Sequence, residues 1–204
     1  MNRRRFVRSS AILAAGAALP LAARAQAQLG TVRELRGRVL LNGRPMGRNH
    51  AIQPGQTITT GSDGHVWFTL GGDAFFLRPG SDLRLSPSLG DTVLDTLRLV
   101  SGALGAAFGP GAPRRLLADT VTIGIRGTGV YVEATSTATY VCTCFGTTDL
   151  TSLALADAAT VTAKHHAARW ITRSDNSIRE AEMREHSDEE MSRLEALAGR
   201  PNPF

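Results

Sequence analysis

The sequence is poor in cysteine and in recognisable catalytic motifs. Only two cysteines, Cys142 and Cys144, occur among its 204 residues, which excludes a scaffold of several disulfide bridges. The chain also lacks a Gly-x-Ser-x-Gly nucleophile elbow and the His-Glu-x-x-His pattern of zinc proteases. Because no catalytic constellation stands out, we predict that the protein is not an enzyme.

Long hydrophobic runs are also missing. The longest apolar stretch covers residues 11–23 and contains Pro20, whereas a membrane-spanning helix needs about 20 apolar residues. A basic start precedes the stretch and small residues follow it, which is the layout of a secretory signal peptide. A retained membrane anchor is the alternative. We predict that the mature chain has no transmembrane segment.

The N-terminus predicts a specific export route. Arg3 and Arg4 resemble the paired arginines of a twin-arginine signal, which is read by a receptor. Residues 1–27 are therefore predicted to be a twin-arginine signal peptide, and the protein is expected to be periplasmic or secreted. Small-x-small spacing places the cleavage after Ala25 or after Ala27.

An excess of basic charge is absent once the signal is removed. The full chain carries 23 Lys and Arg against 18 Asp and Glu. Five of the arginines and none of the acids lie in residues 1–27, so the mature chain has 18 side chains of each sign. Nucleic-acid binding needs a basic footprint. We therefore expect no nucleic-acid partner, and an envelope protein or ligand instead.

What the chain does contain is a series of short apolar runs. From residue 31 to residue 172 these runs are cut by Gly, Pro, Asp and Asn, with turn signals about every 8–12 residues. Residues 66–70, 121–123 and 130–132 are examples of such runs. The pattern predicts a mainly β fold of short strands over residues 28–172, either solenoid-like or sandwich-like.

Residues 173–204 differ and are predicted to form a C-terminal tail with one short α-helix. Ser187 and Glu190 form a capping box, and Gly199 suits a left-handed C-cap. These signals predict a helix over about residues 188–198. Its apolar face, which would dock on the β domain, consists of Met191, Leu194, Leu197 and Ala198.

A series of motifs between residues 31 and 134 carries a family resemblance. In chain order these are Gly37-Arg38-Val39, residues 55–64 (GQTITTGSDG), the apolar runs 66–70 and 75–80, Leu83-Arg84-Leu85, residues 101–104 (SGAL) and residues 125–130 (IRGTGV). The order of these motifs resembles that of the FecR domain, which is named for the ferric-dicitrate transport regulator.

The resemblance implies an extracytoplasmic β domain. In the founding regulators this domain transmits a receptor signal across the inner membrane to a sigma factor. This chain shows an export signal where those regulators carry a cytoplasmic sigma-binding segment. We therefore expect it to share the domain of those regulators but not their signalling to a sigma factor. The function expected on this basis is non-enzymatic binding or sensing of an envelope partner or ligand.

The Arg-Gly-Thr segment is predicted to be structural. Gly124, Arg126, Gly127 and Thr128 lie in a glycine-rich run, but strand-like residues follow it where a phosphate-binding loop needs a helix. We interpret the segment as a tight β corner in which Arg126 donates to backbone carbonyls and Gly127 has a positive φ.

The cysteine pair is the most informative chemistry in the chain. Residues two apart in a strand point to the same side, so Cys142 and Cys144 would present both sulfurs on one face. Two thiolates on one face form half of a site for copper(I) or zinc. The alternatives are a strained, labile disulfide and two inert buried thiols.

Three histidines follow the cysteines and could complete such a site. Residues 160–166 look like a strand, so only one of His165 and His166 would face the sulfurs, and His186 directly precedes the helix cap. Two Cys and two His would satisfy a tetrahedral ion. The arrangement resembles the tails of some FecR-like proteins. It predicts, as an alternative function, a periplasmic metal-binding or thiol-redox protein.

Overall fold

The chain is described here from a computed structural model, which covers residues 30–86, 95–111, 113–153 and 157–204. The signal peptide predicted for residues 1–27 lies outside these ranges. Over the described ranges the chain forms fifteen strands and one short C-terminal helix, so the predicted mainly β fold is confirmed. Within the same ranges, no helix has the length and apolarity needed to cross a membrane.

The strands and the helix follow one another in this order: β1 (Gly30–Arg36), β2 (Val39–Leu41), β3 (Arg44–Pro45), β4 (Ala51–Ile52), β5 (Thr57–Thr60), β6 (His65–Leu70), β7 (Asp73–Leu77), β8 (Asp82–Leu85), β9 (Thr96–Ala107), β10 (Arg114–Leu117), β11 (Val121–Ala134), β12 (Ala138–Ser152), β13 (Ala158–Ala163), β14 (Ala167–Thr172), β15 (Ile178–Ala181) and α1 (Asp188–Leu197).

The strands form one hydrogen-bonded sheet that is folded into two layers. The first layer has the order β4-β1-β6-β7-β9-β11-β12-β14-β15, and the second has the order β3-β2-β5-β8-β9-β10-β11-β12-β13. Strands β9, β11 and β12 belong to both layers because each is long and changes layer midway. All pairings are antiparallel except that of β9 with β10.

A glycine marks the point where each long strand changes layer. Gly102 in β9, Gly127 in β11 and Gly146 in β12 have φ angles of 80°, 59° and 85°, and the register of β11 shifts between Arg126 and Gly129. Such an irregularity shifts the alternation of side chains by one residue. In β11 the residues that face the core therefore change from odd numbers, as at Ile123, to even numbers, as at Val130 and Val132.

Two apolar cores hold the fold together. The larger lies between the layers and includes Phe68, Phe75 and Leu97. The smaller lies on the outer face of the first layer, under α1, where Met191 and Leu194 of the helix are fully buried. We call the strand residues under the helix the aromatic face; they are Trp67, Phe76, Tyr131 and Tyr140.

The C-terminal helix has the predicted boundaries and cap. The Ser187 hydroxyl accepts from the amide of Glu190, whose carboxylate accepts from the amide of Ser187, so the capping box is confirmed. The helix ends at Leu197, with Gly199 at φ 73° beyond it. The tail also contains strand β15, which sequence patterning did not predict.

The Arg-Gly-Thr segment agrees only in part with its prediction. The positive φ of Gly127 is confirmed. The expectation that Arg126 donates to backbone carbonyls is wrong: its guanidinium donates to the Asp149 carboxylate at 2.7 Å, on the exposed side of the sheet. The Thr128 hydroxyl reaches the carbonyl oxygen of Thr147 instead, at 2.8 Å. Gly124 is an ordinary strand residue paired with Asp149.

Candidate metal centre

Cys142 and Cys144 lie on the half of β12 that belongs to the first layer. Both side chains are fully buried in the core under α1, so the two sulfurs share one face of the strand, as predicted from its alternation. Both cysteines are free thiols. Two sulfurs are therefore held within the protein on a rigid central strand.

His166 reaches the sulfurs from the corner between β13 and β14. Strand β13 ends at Ala163, so the prediction that residues 160–166 form one strand is wrong at its end. His166 has a φ of 41°, and its amide donates to the Cys144 carbonyl at 3.0 Å. This bend brings its ring into the core, with Nδ1 at 3.5 Å from Cys142 Sγ.

His186 lies on the segment that leads into α1. Its Nε2 lies 3.4 Å from Cys144 Sγ and 3.2 Å from His166 Nδ1. The ring stacks on Tyr131, with the ring centroids 4.5 Å apart. The adjacent cap at Ser187 fixes the direction in which the chain enters the helix.

Three of the six separations among the four candidate ligand atoms match those of a tetrahedral metal site. All four atoms lie within 4.8 Å of one another. With bonds of about 2.3 Å to sulfur and about 2.0 Å to nitrogen, a tetrahedral ion holds two nitrogens about 3.3 Å apart and a sulfur and a nitrogen about 3.5 Å apart. The observed 3.2 Å, 3.4 Å and 3.5 Å match these separations. We call Cys142, Cys144, His166 and His186 the Cys2His2 cluster.

Hydrogen bonds at the outer edges of the rings set the tautomers of both histidines. His166 Nε2 donates to Asp188 Oδ1 at 2.7 Å, and His186 Nδ1 donates to the Arg184 carbonyl at 2.6 Å. Both partners are acceptors, so in the neutral rings the unprotonated nitrogens are the two that face each other. Zinc-binding histidines have this arrangement, with one nitrogen toward the metal and the other on a carboxylate or carbonyl.

His165 lies outside the cluster. Its side chain is 60% exposed, whereas that of His166 is 5% exposed. His165 Nε2 lies 2.9 Å from Asp188 Oδ2, so the two neighbouring histidines hold both oxygens of one carboxylate. These bonds lower the pKa of Asp188. Sequence patterning did not single out Asp188 as a partner of these histidines.

The two sulfurs affect each other's pKa. A hydrogen bond from the Cys144 thiol lowers the pKa of the Cys142 thiol. Burial, together with the neighbouring sulfur of Cys142, raises the pKa of the Cys144 thiol. A cation bound between the two sulfurs would stabilise the thiolate form of both.

No family model matches the chain, and no curated protein matches it. Among solved structures, it is similar to two crystal structures of a candidate anti-sigma factor from Parabacteroides distasonis ATCC 8503. The first aligns with a TM-score of 0.53 at 11% identity and the second with 0.52 at 12%. Each match covers 61% of this chain and 58% of the other. The chain therefore spans less than two thirds of those proteins, and the likeness is one of fold.

Proposed function

We propose that the protein is an exported, non-enzymatic sensing module that binds one zinc ion through Cys142, Cys144, His166 and His186. The observation that carries the proposal is the convergence of two sulfurs and two ring nitrogens from three separate segments. In the neutral rings, the two nitrogens that face the sulfurs carry lone pairs. A zinc ion placed between the four atoms would accept an electron pair from each of them.

The donor set favours zinc over copper and a closed site over a catalytic one. Tetrahedral coordination by two sulfurs and two nitrogens is typical of zinc. Catalytic zinc sites keep a position open for water or substrate, whereas structural sites use four protein ligands. The Cys2His2 cluster supplies four, which supports a function in binding or sensing.

Location and family are supported by separate observations. Residues 1–27 carry the signal-like pattern with Arg3 and Arg4, and the motifs over residues 31–134 resemble the FecR domain. The likeness of fold to a candidate anti-sigma factor is in keeping with that resemblance. On this basis we propose that the protein is located in the cell envelope. We propose as its partner an envelope protein that distinguishes the zinc-bound form from the zinc-free form.

The test is the metal content of the purified chain. Protein prepared with reductant is loaded with zinc, freed of excess, and analysed for metal per chain. Wild type is expected to retain one zinc, and Cys142→Ser/Cys144→Ser none. The matched pair is His166→Asn and His165→Asn, which alter neighbouring residues. Only the first is expected to lose the ion.

Two outcomes would contradict the proposal. If wild type and the double cysteine variant retain equally little zinc, the site does not exist, and a thiol count then tells whether the cysteines form a disulfide instead. Stoichiometric copper(I) retained in competition with zinc would overturn the assignment of the metal.

A further inference from the structure

The candidate metal centre is assembled from two parts of the fold. Cys142, Cys144 and His166 belong to the sheet, on β12 and the β13–β14 corner. His186 belongs to the segment that begins after β15 and runs through α1 to the C-terminus. An ion bound by all four residues would therefore connect this segment to the sheet.

The segment covers apolar surface that would otherwise face water. Met191 and Leu194 are fully buried against the aromatic face. The guanidinium of Arg193 lies 4.2 Å from the ring centre of Trp67 and pairs with Glu34 on β1. Removing α1 would expose this aromatic surface to water, which is unfavourable.

The N-terminal end of α1 depends on the metal ligands for much of its attachment. His186 contacts Cys144 and His166, and Asp188 binds the outer nitrogen of His166. Arg78 adds an ion pair with Glu190 at 2.9 Å. A helix of ten residues is unstable by itself in water, so its order depends on these contacts and on its apolar face.

We propose that the ion acts as a latch: with zinc bound, α1 is held on the aromatic face, and without zinc it is released. The inference rests on the proposed function and adds how zinc binding would change the protein surface that a partner contacts. Because His186 can bind the ion only when the segment is docked, docking and zinc binding strengthen each other by the same factor. In the structure α1 lies on the aromatic face, and the four candidate ligands lie close together.

Hydrogen exchange of backbone amides tests the latch directly. The full mature chain is compared with saturating zinc and with a chelator, and exchange is read in α1 and, as an internal control, in β10 of the second layer. We expect zinc to slow exchange in α1 by roughly 5–150-fold, the usual range of coupling between linked sites. Exchange in β10 is expected to change far less.

A matched pair of variants tests the reciprocal effect. Arg193→Ala removes a contact of α1 with the sheet, and Arg98→Ala removes a similarly exposed arginine that pairs with Asp119 in the second layer. Neither residue is a candidate ligand. Arg193→Ala is expected to weaken zinc binding by roughly two- to fivefold, and Arg98→Ala to leave it unchanged.

The possible failures are distinguishable. One zinc per chain with unchanged exchange in α1 would overturn the latch and leave the proposed metal site intact. Equal zinc affinity in the two arginine variants would have the same meaning. A wild-type chain that retains no zinc would overturn both the site and the latch.

Discussion

Cys144 Sγ lies 3.4 Å from His186 Nε2, although 42 residues separate them in the chain. The chain between them turns back through β13, β14 and β15 before it reaches the helix cap. The contact therefore closes the C-terminal part of the molecule onto its central strand.

Asp188→Asn is expected to weaken zinc binding. The carboxylate accepts from His166 Nε2 and so keeps Nδ1 unprotonated and directed at the sulfurs. Loss of such an outer partner typically costs 10–100-fold in metal affinity. The measurement is a competition titration with a chelating dye. Glu189→Gln, which removes a charge from the same helical turn, is the control, and equal affinity in both variants would contradict the assigned role.

Gly127→Ala is expected to lower the free energy of unfolding by about 1–2 kcal/mol, because an alanine at φ 59° is strained. The added Cβ would not clash, since it would lie in ordinary van der Waals contact 3.7 Å from Pro110 Cα. The control, Gly124→Ala, lies three residues earlier in the same strand, and we expect it to stay within about 0.5 kcal/mol of wild type. Urea unfolding measures both, and equal losses would show that the bend does not require a glycine.

Asp149→Asn is expected to destabilise the fold at neutral pH and less so in acid. Hydrogen bonds from Thr160 and Arg126 lower the pKa of Asp149. A carboxyl group whose pKa is lowered by folding stabilises the folded state at pH values above the ordinary Asp pKa of about 3.9. This stabilisation is lost as the pH falls through the pKa that the group has in the folded state. Urea midpoints of variant and wild type, measured without zinc, should therefore converge as the pH drops.

The control for this experiment is Glu180→Gln, which removes one carboxylate from a side chain that is 88% exposed. A gap between Asp149→Asn and wild type that stays constant across the pH range would mean that the carboxylate charge is unimportant there. The bonds that Asp149 forms join β11, β12 and β13, so the experiment reports on the second layer.

Arg3→Lys/Arg4→Lys is expected to abolish export, because the receptor of the twin-arginine route reads the arginine pair. Cell fractionation with an antibody to the mature chain would show full-length protein retained in the cytoplasm. Arg8→Lys, a change in the same basic region outside the pair, is expected to leave export intact. Mature protein from the double variant found outside the cytoplasm would refute this route.

Local patterns predicted the features that depend on neighbouring residues. Strand alternation placed Cys142 and Cys144 on one face, and the spacing of Ser187 and Glu190 predicted the helix start. Both features follow from the periodicity of side chains, which is 2 residues in a strand and 3.6 residues in a helix. These periodicities are visible within a few neighbouring positions of the sequence. Which of His165 and His166 reaches the sulfurs was not predictable in this way, because a positive φ at the corner decides it.

Features that depend on distant residues escaped prediction. The sequence pattern predicts separate strands for the runs 121–123 and 130–132. In the structure they are the two halves of β11, because the bulge at Gly127 interrupts the alternation of side chains without ending the strand. The hydrogen-bond acceptor of Arg126 is Asp149, which lies 23 residues away in the sequence. The partnership of Asp188 with His166 was not predicted, because sequence patterning could not show that the histidine corner lies beside the helix start.

The three strands that run through both layers also determine how the domain can come apart. Because β9, β11 and β12 each contribute hydrogen bonds to both layers, the described strands offer no boundary along which one layer could separate and leave the other intact. Global unfolding should therefore be a single cooperative event. Partial opening is restricted to elements attached along one side, such as β13, β15 and the C-terminal segment.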